Sequence, residues 1–155
     1  MGLVGLISDT HGLVRPSVFT ALAGVDLILH AGDVGEGVLD ELRVIAPVHA
    51  VRGNTDPFGV PELPESIDRE IDGIRVHVSH GHELGSPRPE RLLRTYDADV
   101  IVYGHTHRQL VVQIQDRWVV NPGAAGAKRF SLLPSVARMT IASARVSIEI
   151  IELQE

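Results

Sequence analysis

At 155 residues, with 44% apolar and 22% charged side chains, the chain is long enough for one globular domain burying roughly 68–70% of its unfolded surface. A net charge of −6 argues against a long nucleic-acid duplex as partner, since such binding needs a basic face. The absence of cysteine excludes a disulfide framework and a thiolate metal site, so any metal must be held by His, Asp, Glu or Asn.

The run Leu3-Val4-Gly5-Leu6-Ile7 reads as a strand buried on both faces, and it leads directly into Ser8-Asp9-Thr10-His11-Gly12. Residues 14–23 have helical spacing, with Pro16 early, where a proline is tolerated, and Gly24 as a stop. A second apolar run, 25–29, leads into His30-Ala31-Gly32-Asp33, and a helix-compatible segment follows at 36–45. A third run, 47–51, ends in Arg52-Gly53-Asn54-Thr55-Asp56. Strand, helix, strand, helix, strand at this spacing predicts a parallel α/β sheet.

Residues 57–65 contain Pro57, Gly59, Pro61 and Pro64 and read as an irregular loop. Residues 66–72 and 74–79 form a predicted hairpin joined at Asp72-Gly73, a favoured two-residue turn pair, and the second arm ends in His80-Gly81-His82. A short helix is expected over 87–96 with Leu92, Leu93 and Tyr96 on one face, then a strand over 99–103 that ends in Gly104-His105-Thr106-His107. From Gln109 the pattern turns to strands, at 110–115, at 118–120 running into Asn121-Pro122-Gly123, at 136–142 and at 146–153. This run of hairpins is expected to form a second sheet packed on the first, giving a single two-sheet α/β domain over residues 1–155.

Each polar cluster directly follows an apolar run, and in open α/β sheets ligands bind outside the carboxyl ends of the strands. Asp9, His11, Asp33, Asn54, His80, His105 and His107 are therefore expected to meet in one crevice although they span ~100 residues of sequence. Mixed carboxylate and imidazole donors suit Mn, Fe, Co, Ni or Zn rather than Ca or Mg alone. The donor set suits two divalent ions sharing a carboxylate, the clamp that holds attacking and leaving oxygens in phosphoryl transfer with ions ~3.5–4 Å apart. Two such ions, two carboxylates and one hydroxide leave a charge of about +1, which attracts an anionic phosphate, and metal binding lowers the pKa of water towards ~7.

Asp9-x-His11, Gly32-Asp33, Gly53-Asn54-x-Asp56, His80-Gly81-His82, Gly104-His105-x-His107 and Asn121-Pro122-Gly123 together resemble the calcineurin-like metallophosphoesterases. Within that family the short chain looks most like the small YfcE-type phosphodiesterase branch, and the resemblance runs from Leu3 to about Gly126. It implies an αββα sandwich, two mixed β-sheets packed face to face and flanked by helices. It implies one ion held by Asp9, His11, Asp33 and His107, and another held by Asp33, Asn54, His80 and His105, with Asp33 bridging. Manganese is the first expectation, with Fe, Ni, Co or Zn as alternatives. A hydroxide between the ions would attack phosphorus, with His80 and Asn54 orienting the ester.

One departure bears on substrate. Many family members carry His after Gly-Asn to protonate the leaving group, and this chain has Thr55. That favours phosphodiesters with good leaving groups over alkyl monoesters. His82 either substitutes for the missing acid or hydrogen-bonds a ligand. Alternatives are a phosphomonoesterase or dinucleoside polyphosphate hydrolase on the same site, or a non-catalytic scaffold like the retromer subunit of the same fold.

Arg129, with Lys128 beside it, is the candidate for substrate phosphate contact. His30, His49 and His77 are read as structural, Asp56 as a turn residue, Asn121-Pro122-Gly123 as a brace, and Phe58 and Leu63 as rim or subunit contact. The N-terminus lacks a signal-peptide pattern, Leu6 breaks the myristoylation pattern, and no apolar run approaches a membrane span, so the expected setting is cytoplasmic. The expected partner is a small phosphate ester, with homo-oligomerisation left open.

Overall fold

A computed structural model describes residues 2–128 and 131–154. Ten strands form two five-stranded sheets. The first contains β1 (Gly2–Ile7), β2 (Leu27–His30), β3 (Val48–Ala50), β9 (Ser135–Ala142) and β10 (Arg145–Glu152), in the order β10-β9-β1-β2-β3. The second contains β4 (Ser66–Ile71), β5 (Ile74–Ser79), β6 (Val100–Val102), β7 (Leu110–Ile114) and β8 (Arg117–Asn121), in the order β4-β5-β6-β8-β7. Both sheets are mixed. β1, β2 and β3 run parallel, as do β5, β6 and β8, and the remaining pairs are antiparallel.

Strand alternation divides the apolar residues between two layers. Val4, Leu6, Leu29, Ala137, Met139 and Ile141 from the first sheet meet Val76, Val78, Val100, Val102 and Val120 from the second in one buried cluster. The opposite face of the first sheet, with Ile7 and Ile28, packs on α1 (Pro16–Ala21) and α2 (Val38–Leu42) through Val18, Leu22, Val38 and Leu42. The outer face of the second sheet, with Ile101 and Val119, packs on α3 (Pro89–Thr95) through Leu92. The layers are therefore αββα, as the resemblance implies.

The sheets divide differently from the sequence reading. The terminal β9–β10 hairpin does not join the second sheet but pairs antiparallel with β1, Gly2 opposite Ile141 and Leu6 opposite Ala137. Alternation says which face of a strand is buried, not which strand lies beside it, and this pairing covers the β1 edge that β2 leaves open.

The helices are shorter than expected, for local reasons. α1 and α3 begin at Pro16 and Pro89, because the residue before a proline is driven out of helical geometry: Arg15 has φ −68°, ψ 145° and Arg88 has φ −113°, ψ 151°. α2 begins only after Gly37, which is left-handed at φ 83°. The Asp72-Gly73 turn is as expected, with φ 48° and 84°, the two positive values that a tight hairpin of this twist requires.

Candidate metal centre

The loops after β1, β2, β3, β5 and β6 gather at one end of the sandwich. The β1 and β2 loops are zipped together by the N–H groups of Asp9, His11 and Gly12, which donate to the carbonyls of Gly32, Asp33 and Val34 at 3.0, 3.0 and 2.9 Å. Within the second sheet's loops, Gly104 N–H donates to His80 C=O at 2.9 Å, and Ala125 N–H, beyond β8, donates to Ser8 C=O after β1 at 3.0 Å. Two glycines permit the close approach. A β-carbon at Gly53 would collide with the Asp33 amide and Oδ1, and one at Gly104 with Ser8 Oγ and Asp9 Oδ2.

Backbone strain marks the same residues. Asp9, His11, Asp33, His105 and His107 all adopt left-handed backbone, with φ between 46° and 70°. The other non-glycine residues in this region, among the described residues, are Asp72, Gln115, Ser143 and Ala144, all in hairpin turns. Such geometry costs on the order of 1–3 kcal/mol per residue and persists where the surroundings enforce it. Here it aims side chains inward from successive loops.

Each central carboxylate has one oxygen held by the protein and one turned to the centre. Asp9 Oδ2 accepts from Ser8 Oγ at 2.6 Å and from His105 N–H at 3.1 Å. Asp9 Oδ1 is buried with no hydrogen-bond partner among the described residues, 3.3 Å from His107 Nε2, 3.8 Å from His80 Nε2 and 3.9 Å from His11 Nε2. Asp33 Oδ1 accepts from Thr55 N–H at 2.9 Å, and Oδ2 lies 3.2 Å from His80 Nε2 and 3.6 Å from His11 Nε2. His80 Nε2 is a second buried atom without a hydrogen bond among the described residues, while His80 Nδ1 donates to Ala31 C=O at 2.8 Å.

The arrangement fits metal ions. Two donors each about 2.0–2.2 Å from one ion stand about 3–3.5 Å apart at tetrahedral or octahedral angles, near the spacing seen here. Asp9, His11 and His107 form one group with ligand atoms within 4.8 Å of one another, and Asp9, Asp33 and His80 form another. Asp9 Oδ1 and Asp33 Oδ2 both lie between His11 and His80, so either carboxylate can be shared.

Charges respond as expected of a crowded cluster. Burial pushes the Asp33 carboxyl up, but the His80 imidazole beside it and the Thr55 N–H outweigh burial and hold the group well below the usual carboxylate range. Burial lowers the His80 pKa, yet Asp33 and the Asp9 charge prevail and raise it overall. His82 and His105 are pushed down, by burial first and then by the charge of His80.

The other expected residues fall as follows. His105 packs edge-on against His80, with ring centroids 5.2 Å apart, and His107 tilts against His11 at 5.6 Å. His82 begins the 3₁₀ turn His82–Leu84, its ring 5.3 Å from that of His80 and its Nδ1 buried without a hydrogen bond among the described residues. Asn54 is exposed beside Gly53. Arg129 lies outside the described residues, and its neighbour Lys128 is exposed.

The supporting shell is mostly as expected. His30 is a buried structural residue: Gly32 N–H donates to its Nδ1 at 3.1 Å, so Nε2–H donates to Thr10 Oγ1 at 2.9 Å, and Thr10 donates to Val34 C=O at 2.6 Å. Asp56 binds no side chain of the cluster. It accepts from the N–H groups of Val34, Gly35 and Gly53 and so ties the Asp33 loop to the Asn54 loop. Asn121 Nδ2 donates to Gly104 C=O at 3.1 Å and Thr106 Oγ1 at 3.0 Å, bracing the turn that carries His105 and His107.

His77 is structural, held by Asp68 at 2.8 Å and Ser79 at 3.1 Å and stacked on Tyr96. Sequence reasoning missed Arg52, which grips the Asn54 loop, and Glu83, which accepts from Gly81 N–H at 2.9 Å and Tyr96 OH at 2.7 Å. A cation placed directly before Gly-Asn was the available signal for Arg52.

Imidazoles and carboxylates converging at the strand ends of a two-sheet sandwich define a candidate metal centre. The calcineurin-like phosphoesterase superfamily domain matches residues 3–144, and the chain belongs to that superfamily. A probable metallophosphoesterase of Methanothermobacter thermautotrophicus is 39% identical, with 96% of this chain and 91% of that relative covered. A phosphodiesterase of Methanocaldococcus jannaschii is 29% identical, with 77% and 82% covered. Among solved structures, Vps29 of Entamoeba histolytica complexed with zinc has a TM-score of 0.79 at 24% identity, covering 97% of this chain and 98% of that one.

No helix among the described residues is long and apolar enough to cross a membrane.

Proposed function

We propose that the chain is a single-domain, cytoplasmic metal-dependent phosphodiesterase with a two-ion centre. Asp9, His11, Asp33 and His107 would hold one ion, and Asp33, Asn54, His80 and His105 the other, with manganese the first metal to test. The observation that carries the reading is the pair of buried atoms, Asp9 Oδ1 and His80 Nε2, that face the same point with no hydrogen bond among the described residues. Leaving both unpaired would cost on the order of 1–3 kcal/mol each unless something else binds them. Bound ions would supply Lewis acidity and a water pKa lowered towards ~7.

The chain's own residues do the rest. Ser8 and the His105 N–H fix Asp9, Thr55 N–H fixes Asp33, and Ala31 C=O fixes the His80 ring, so the donors are oriented before substrate arrives. Asn54 would hydrogen-bond a phosphoryl oxygen, and His82 beside His80 would either pass a proton to the departing oxygen or hydrogen-bond a ligand. Arg129 would contact the substrate phosphate. Thr55 offers no strong acid, which favours diesters with good leaving groups.

The test is hydrolysis of bis(p-nitrophenyl) phosphate by chelator-stripped protein, with Mn²⁺ added back, beside Asp33→Asn. Activity should require metal, vanish in Asp33→Asn, and exceed that on an alkyl phosphomonoester. Inactivity with Mn, Fe, Co, Ni and Zn would overturn the enzyme in favour of a binding scaffold of the same fold, as the Vps29 likeness allows.

A further inference from the structure

Phe58 is 79% exposed, one of only three phenylalanines in the chain. A lone exposed apolar side chain is ordinary, but this ring is clamped. The guanidinium carbon of Arg52 lies 3.8 Å from its centroid. Arg52 is itself only 6% exposed and held by four hydrogen bonds: Nε and Nη2 donate to Glu65 at 2.7 and 3.3 Å, and Nη1 to the carbonyls of Gly53 and Asp56 at 2.9 and 3.1 Å. Those two carbonyls bracket Asn54, and Thr55 N–H between them donates to Asp33 Oδ1. Pro57, Pro61 and Pro64 restrict the surrounding loop. One face of the ring thus rests on a fixed cation tied to the candidate centre, and the exposed remainder is free for another planar group.

We propose that Phe58 is a stacking platform for a planar ring, a nucleobase above all, on the non-leaving side of a phosphodiester substrate. The inference rests on the phosphodiesterase reading and names its substrate class. A ring held by a stationary arginine loses little freedom when a second ring stacks on it, and aromatic pairs favour offset stacking. Base–aromatic stacking tolerates any base, because every base presents a π-face. The anionic phosphate would lie at the centre while the attached nucleoside reaches back over the Asn54 loop.

Thymidine 5′-(p-nitrophenyl phosphate) and methyl p-nitrophenyl phosphate share a leaving group and differ only in the other arm. With Mn²⁺-loaded protein, Phe58→Ala should raise KM for the thymidine ester roughly tenfold, with kcat unchanged and the methyl ester unaffected, and Phe58→Trp should restore the low KM. Independently of turnover, the fluorescence of F58W should be quenched saturably by thymidine 5′-phosphate but not by methyl phosphate, beyond any change in the wild type with its single Trp118. Quenching without hydrolysis of either ester would keep the platform and overturn the phosphodiesterase. Hydrolysis of both esters with equal losses in Phe58→Ala, or without quenching, would overturn the platform and leave the enzyme. Neither hydrolysis nor quenching would overturn both.

Discussion

His80 and Ala31 directly follow strands of different sheets, and the carbonyl of Ala31 accepts the Nδ1–H of His80 at 2.8 Å. That bond sets the ring so that Nε2 faces Asp33 Oδ2 at 3.2 Å and Asp9 Oδ1 at 3.8 Å. Metal-ligating histidines are commonly oriented by such a bond from the other ring nitrogen. His80→Ala would therefore remove a donor and strand two buried carboxylates. Ion content after dialysis against limiting Mn²⁺ should fall by about one per chain, and the metal-free protein should lose about 3 kcal/mol, as when one partner of a buried pair is removed. Metal analysis and urea unfolding check both. Unchanged ion content would remove His80 from the ligand set.

Asn121 offers a cleaner probe, since it touches no candidate ligand side chain. Its amide donates to Gly104 C=O and Thr106 Oγ1, and its Oδ1 accepts from Gly123 N–H at 2.9 Å. Asn121→Asp keeps the acceptor, loses both donors and buries a charge. It should cost about 2–4 kcal/mol and weaken metal retention through the His105–His107 turn. A calorimetric titration with Mn²⁺ would read the second effect, and wild-type affinity would show that the turn holds itself.

His30 supplies a pH dependence. Burial pushes its pKa down from 6.5 to about 4, only partly opposed by the charges of Asp9 and Asp56. Above pH 6.5 folded and unfolded chains are both neutral at this residue, and stability is unaffected. Between 6.5 and about 4 the unfolded chain binds a proton that the folded chain refuses, so stability falls as pH falls, by about 3 kcal/mol in all. His30→Asn keeps the acceptor for Gly32 N–H but cannot titrate. Its chemical denaturation should be less steeply pH-dependent over this window than that of the wild type. Parallel curves would show that His30 charges normally in the fold.

Tyr96 joins the outer helix layer to the His80-Gly81-His82 turn. Its hydroxyl donates to Glu83 Oε2 at 2.7 Å while Glu83 Oε1 accepts from Gly81 N–H at 2.9 Å, and its ring stacks on His77 at 3.8 Å. Burial and the Glu83 carboxylate push the Tyr96 hydroxyl up to about 12, so it remains a donor at every working pH. Tyr96→Phe keeps the stacking and loses one charge-assisted hydrogen bond, about 1.5–3 kcal/mol before relaxation, discounted here for partial exposure. Diester turnover should fall through kcat with KM little changed. A loss confined to thermal stability would confine Tyr96 to the scaffold.

Much of this was legible in the sequence because it is written locally. A five-residue apolar run ending in Asp9-Thr10-His11 specifies both a buried strand and the place where its donors emerge, and Asp72-Gly73 specifies its turn. The effect of Pro16 and Pro89 on the preceding residue was also local, though a helix-period reading overran it. The β9–β10 hairpin was misassigned because its partner, β1, begins more than a hundred positions earlier, and alternation carries no address. Arg52 and Glu83 escaped notice for a related reason: a charged residue that binds backbone and neighbours looks, in sequence, like any solvated charge.

The division of the donors between sheets has one more consequence. Asp9, His11, Asp33 and Asn54 follow strands of the first sheet, and His80, His105 and His107 follow strands of the second. Their mutual spacing is therefore set by the stacking of two slabs, and the shims between those slabs are Leu6, Leu29, Val78, Val102 and Met139. Shaving a methylene from one of these would tilt one slab against the other and detune the choice among ions of different radius. Metal preference would in that sense be a property of the hydrophobic interior, adjustable at positions that never meet the ion.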